Sequence, residues 1–174
     1  MNHHSDQHKE DLAHGPAIEK IRELVKSAHV CLFGTSPGHY PLTVRPMGVR
    51  DVDGVGNLWF LSGRSSLKNK HIEREPRVQL LFTHVSSSQY LSLEGFASIS
   101  DNRALKEKYW TPLANAWVKD GVDDPDLTVI KVMVTGGYYW DTEDGKAVSL
   151  LKTATAAVTG GKISDGGVEG KLKP

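Results

Sequence analysis

The sequence predicts a mainly β protein, a β-barrel or two-sheet architecture with peripheral helices, in one domain. Three observations predict it. Six or seven runs of alternating or unbroken apolar character lie between residues 29 and 151, which is the spacing of strands in a closed or sandwiched sheet. Gly, Pro, Asp and Ser clusters separate them, as turn chemistry requires. Helical periodicity is confined to a few short stretches and does not alternate with every strand, so a doubly wound fold is not expected. A chain of 174 residues is long enough to bury a core without metals or disulfides.

Residues 1–14 are polar and His-rich and read as a disordered arm. Gly15-Pro16 opens a helix, because proline's missing N–H has no partner in a first turn anyway. Ile18, Ile21, Leu24 and Val25 give that helix an apolar face. Residues 29–35 form the first strand and Ser36-Pro37-Gly38 a turn. Residues 42–50 form the second, with Thr43, Arg45 and Met47 on one face and Leu42, Val44 and Pro46 on the other. Pro46 cannot donate to a ladder, so this strand is an edge or is irregular there. Residues 57–62 make a third strand and 65–73 a short helix. Residues 77–83 read as a strand buried on both faces, and 89–100 as a long alternating strand. Asp101 is placed to cap the next helix, and a further short helix carries Leu113, Ala114 and Trp117. Residues 127–134 and 138–141 are strands separated by a bulge or bend at Gly136-Gly137. Glu143-Asp144-Gly145 is a hairpin turn into residues 147–151. The domain is expected over residues 15–152, and 153–174 reads as a flexible tail.

Lys+Arg and Asp+Glu number 21 each, so the net charge is zero. That argues against a nucleic-acid or membrane-surface protein, both of which need a net basic field. The single cysteine, Cys31, sits in an apolar run and reads as a buried, inert thiol; with no disulfide possible within the chain, a cytoplasmic setting is expected. No apolar run approaches the ~20 residues that span a bilayer. His3, His4, His8 and His14 lack accompanying cysteines or placed carboxylates, so no metal site is expected.

The informative stretch runs from Phe60 to Lys70, where a strand gives way to a loop and then a helix. Arg64, Lys68 and Lys70 crowd the start of that helix, where the backbone dipole disfavours cations. A broken local rule marks a candidate site, and a bound phosphate would resolve it. Ser62, Ser65 and Ser66 add hydroxyl donors, and Arg45 can reach the same anion with its planar fork. A solvated basic turn with serine as an ordinary cap is the competing reading of these residues. No dinucleotide or Walker-type glycine pattern is present.

Arg45-Pro46-Met47, Leu58-Trp59-Phe60-Leu61-Ser62, Ser66-Leu67-Lys68 and Glu75-Pro76-Arg77-Val78 together resemble the pyridoxamine 5′-phosphate oxidase-like split-barrel superfamily. Tyr90 to Gly95, Trp110-Thr111-Pro112, Gly121 to Pro125 and Tyr139-Trp140-Asp141 are similar to its general stress protein branch. The resemblance implies an FMN-binding split barrel that forms a homodimer, with flavin mononucleotide (FMN) at the subunit interface and FAD as a possible variant. It implies that Ser66 and Lys68 hold the phosphate, with Leu61, Ser62 and Leu67 beside them. Arg45 would contact the phosphate or ribityl chain, and Pro46 and Met47 would lie against the isoalloxazine. Trp140 would come from a later strand, across the dimer. Trp110 and Trp117 are weaker candidates for the pocket wall, core packing being the simpler role.

Two departures bear on activity. Leu67 stands where many of these oxidases carry a basic residue. The last arginine is Arg103, so the C-terminal arginine pair that holds the substrate in pyridoxamine phosphate oxidases has no counterpart. The expected function is therefore a general stress type FMN protein, a flavin-dependent oxidoreductase of unknown substrate. A non-catalytic flavin-buffering protein, a pyridoxamine 5′-phosphate oxidase, and a groove for deazaflavin or haem are the alternatives. No catalytic acid–base pair stands out; His71 and His84 read as surface or satisfied histidines.

Overall fold

The computed structural model describes residues 8–36, 38, 41–116, 118–142 and 167–174. Ten strands and three α-helices lie among these residues: β1 (His8–Lys9), β2 (Leu12–Ala13), α1 (His14–Ala28), β3 (Val30–Thr35), β4 (Thr43–Gly48), β5 (Asp51–Val52), β6 (Leu58–Gly63), α2 (Leu67–Arg74), β7 (Arg77–His84), β8 (Gln89–Ser100), α3 (Arg103–Tyr109), β9 (Leu127–Thr142) and β10 (Gly167–Lys173). The strands form one sheet with path β1-β10-β9-β8-β7-β3-β4.

The long strand β9 organises the sheet. One of its edges pairs with β8 over Val129–Trp140. The other pairs first with β6 over Leu127–Val132 and then with β10 over Gly137–Thr142. The sheet therefore forks at β9, and β6 with β5 curls away from the main path. Phe33 on β3 meets Phe60 on β6 edge-to-face at 5.2 Å and 89°, so the core fills the space between the two arms of the fork. Helix α1 covers one side with Ala17, Ile21, Leu24 and Val25 buried, the face that its apolar periodicity dictates.

Several expectations hold and several are corrected. Strand β8 occupies residues 89–100, as its alternation predicts. Strand β4 is an edge, consistent with Pro46 lacking a donor. The bend near Gly136 is a β-bulge inside a continuous strand: Glu94 pairs with Gly136 and Gly95 with Val134, leaving Thr135 as the extra residue. A Cβ on Gly95 would lie 2.2 Å from Met133 O, so the backbones approach there as only glycine allows.

Closure is the first correction: the sheet is not closed into a barrel, and no ladder joins β4 to β5 or β6 among the described residues. The second concerns the termini. Within the expected disordered arm, His8–Lys9 and Leu12–Ala13 pair in parallel with β10, itself within the expected flexible tail. Tyr139 donates its hydroxyl proton to Glu10 O at 2.9 Å, and Glu10 N donates to Glu169 O at 2.8 Å. Strand β7 alternates instead of being buried on both faces, with Val78, Leu80 and Phe82 inward and Leu81 on the outer face. Asn102, not Asp101, caps α3 by accepting from Leu105 N. The further short helix is present as a 3₁₀ segment, Pro112–Ala116. The expected turn at 143–145, the strand at 147–151 and Trp117 lie outside the described residues. No helix among the described residues is long and apolar enough to cross a membrane.

Candidate functional site

Two ladders and a turn bring the basic residues together. Pairing of β3 with β4 places Arg45 opposite Phe33, on the core-facing side near the open rim. Pairing of β6 with β9 sets Ser62 opposite Thr128 and Gly63 opposite Leu127. The turn from Gly63 to Ser66 then leads directly into α2, whose second residue is Lys68.

Arg45 uses Nη1 to donate to Phe33 O at 3.1 Å and to Thr35 Oγ1 at 2.8 Å. Thr35 is fully buried, and its hydroxyl shares a hydrogen bond with His71 Nδ1 at 2.9 Å. His71 is thereby a satisfied histidine that steadies Arg45 through Thr35. Burial pushes the Arg45 guanidinium below its ordinary range. The Lys68 ammonium is pushed down too, first by burial and next by the charge of Arg45, with Asp126 opposing. Among the described residues no carboxylate forms an ion pair with either cation. Two half-buried positive groups thus repel one another at the mouth of a helix N-terminus that has no acidic residue in its first turn and no side-chain cap. That arrangement fits a doubly charged anion such as a phosphate monoester.

The remaining predicted residues divide. Ser62 Oγ donates to Asn69 Oδ1 at 2.7 Å, Asn69 Nδ2 donates to Thr128 Oγ1 at 3.0 Å, and the Thr128 hydroxyl donates to Ser62 O at 3.0 Å. This closed ring locks β6, α2 and β9 together. Ser66 Oγ joins it at 3.3 Å from Asn69 Oδ1, so its hydroxyl does not cap the helix as the simpler reading expects. Arg64 turns away from the helix to Asp101 and to Pro125 O. Lys70 is exposed to solvent. Ser65 is held by Asp126: its N–H donates to Oδ1 at 2.7 Å and its hydroxyl to Oδ2 at 3.2 Å.

Met47 is buried in the core beside Cys31, while Pro46 is exposed on the opposite face of the edge strand. Leu67 is 59% exposed at the helix start. Leu61 points away from Ser62 and, with Trp110, packs on a satellite cluster of Ala114, Val118 and Leu127. Trp140 lies on the outer sheet face, stacked obliquely on Tyr138 at 4.8 Å. Trp140 lies twelve positions along β9 from Thr128, so one chain does not bring it to the Arg45–Lys68 pair. Sequence reading missed Asn69, Thr35, Thr128 and Asp126. Only Asp126 carried a signal, since a charged residue adjoins Asp123-Asp124-Pro125, and that run reads as a turn.

Residues 16–164 match the family described as pyridoxamine 5′-phosphate oxidase like. General stress protein 26 of Bacillus subtilis (strain 168) is 28% identical over 83 residues, covering 46% of this chain and 58% of that protein. The matches span 54–58% of the length of the curated relatives found. A solved structure from Jannaschia sp. CCS1 assigned to general stress protein 26 superposes with a TM-score of 0.72 at 22% identity, covering 90% of this chain and 95% of its own. The general stress FMN/FAD binding protein of Xanthomonas citri superposes with a TM-score of 0.62 at 21% identity, covering 74% and 89%.

Proposed function

The chain belongs to the pyridoxamine 5′-phosphate oxidase like family, in its general stress protein branch, and on that premise we propose that it binds FMN as a flavin-dependent oxidoreductase. The observation that carries the reading is the convergence of Arg45 and Lys68, neither of them ion-paired to a carboxylate among the described residues, beside an uncapped helix start. Arg45 is pre-oriented by Phe33 O and Thr35, so its remaining N–H groups are free to form a fork on phosphate oxygens. Ser66 and Lys68 complete the phosphate grip, and Pro46, exposed on the edge strand, offers a surface against which a ring can lie. Bound there, FMN would supply redox chemistry that none of these side chains carries. The chain's part is to bind, orient and shield it.

The dimer is part of the proposal. Val30, Leu32 and Val44 are each 45–48% exposed on the outer face of β3 and β4. Ladder registers join this patch through Leu81 and Ser92 to Tyr138, with Tyr90 paired to Trp140 alongside. An open apolar sheet face of this extent suits burial against a second copy, which would carry Trp140 toward the partner's flavin.

Denaturing the purified protein and identifying the released molecule by mass and fluorescence tests the cofactor. FMN is expected; a deazaflavin, haem, or no flavin even after loading overturns the reading. Reduction of the bound flavin by a nicotinamide cofactor separates an enzyme from a flavin store.

A further inference from the structure

The loop that precedes α2 is fastened from outside by the segment just before β9. Arg64 N donates to Asp126 O at 2.6 Å, and Arg64 Nε donates to Pro125 O at 3.2 Å. Ser65 gives both its N–H and its hydroxyl to the Asp126 carboxylate. A Cβ on Gly63 would lie 2.7 Å from Asp126 Oδ2, so any larger residue there would push the carboxylate out of its present position. Asp126 is itself held, because its N–H donates to Asp124 Oδ1 at 2.8 Å and Asp124 Oδ2 accepts from Lys119 N at 2.8 Å. The clamp is thus rigid and ends in a negative charge placed at the mouth of the site.

This arrangement does two opposite things to an incoming anion. It consumes the Ser65 donors, which other phosphate loops would offer to the ligand, and fixes the backbone that positions Ser66 and Lys68. It also sets a carboxylate near Lys68, where it offsets part of that cation's attraction for phosphate. The Lys68 ammonium registers that carboxylate, whose charge acts on it in opposition to Arg45.

We infer that Asp126 is the positioning residue of the anion site: through Ser65 it holds the phosphate loop in shape, and its charge limits how tightly a phosphate is held there. The inference rests on the FMN reading above. It accounts for a loop that is basic by sequence yet is fastened by an acid from outside it, and it assigns Asp126 a role in ligand strength that a simple turn residue would not have.

The test uses the full-length protein stripped of flavin, titrated with FMN and with riboflavin, which lacks the phosphate. Asp126→Asn keeps an acceptor for Ser65 N–H and removes the charge. It is expected to tighten FMN by roughly threefold to tenfold, the scale of one unit charge acting across a half-buried site, and to leave riboflavin unchanged. Asp126→Ala frees Ser65 and is expected to weaken FMN by about tenfold or more, the scale of lost hydrogen bonds to a charged group. Opposite signs for the two variants are the signature of tether and charge acting together. An FMN-to-riboflavin preference that stays at the wild-type value in Asp126→Asn overturns the role of Asp126 while leaving the FMN reading intact. A wild-type protein that holds riboflavin as tightly as FMN overturns the phosphate site itself, and the inference with it.

Discussion

Replacing Lys68 by methionine separates the two consequences of placing an unpaired ammonium beside a guanidinium. Methionine keeps the length and the apolar stem and removes only the charge. In the flavin-free protein Lys68 is half-buried, faces Arg45, and finds no ion-pair partner among the described residues. Its removal is therefore expected to raise the stability of the flavin-free protein. With phosphate bound, the same ammonium makes a charge-assisted hydrogen bond of about 1.5–3 kcal/mol, so the variant is expected to bind FMN roughly 10- to 150-fold more weakly. The pH dependence has a definite sign. Lys68 has a lowered pKa in the folded state, so the stability it costs is fully present below that folded value. The cost is relieved as pH rises toward the unfolded lysine value of about 10.4. Phosphate restores the charged form, so FMN binding takes up a proton at alkaline pH and weakens as pH rises. Methionine at 68 removes that part of both slopes. Urea unfolding of the flavin-free protein and quenching of flavin fluorescence across pH 7–10 read the two effects. A variant that loses flavin-free stability, or binds FMN as the wild type does, refutes the reasoning.

Asn69→Ala breaks the hydrogen-bonded ring, taking from the buried Ser62 hydroxyl its 2.7 Å acceptor and from the buried Thr128 hydroxyl its 3.0 Å donor. It is expected to cost about 1–3 kcal/mol in urea unfolding and to weaken FMN in the same preparation; an unchanged midpoint contradicts this. Gly170→Ala would set a Cβ 1.8 Å from Glu10 O, forcing β1 and β2 off β10. Faster hydrogen exchange at residues 8–13 with the central sheet still protected is the expected result, and wild-type protection there would count against the terminal clasp.

The fold was legible where one strand or helix carries its own periodicity. Strand β8 reads off its alternation to the residue, and the apolar face of α1 follows from Ile21, Leu24 and Val25. Parallel pairing of the termini was not legible: β1 and β2 have two residues each, too few for any period, and their partner lies at the other end of the chain. Strand β7 misled because an apolar run signals burial on both faces, whereas Leu81 belongs to the open outer face. Asn102 displaced Asp101 as a cap because Asp101 is engaged by Arg64.

The site follows the same division between local chemistry and register. The cations crowded at the start of α2 break one local rule, yet each answers it differently. Arg64 is neutralised by Asp101, a residue 37 positions away whose pairing no local pattern announces. Lys70 extends into solvent, where the helix dipole is screened and costs little. Lys68 alone is carried inward, against an arginine contributed by an edge strand. The register of β6 on β9 decides which is which, because it brings Asp126 to Ser65 and so fixes the direction in which the helix leaves the loop. A charge pattern in sequence can therefore nominate a phosphate site, but which cation would hold the anion is decided only when a distant acid has claimed one of them and solvent another.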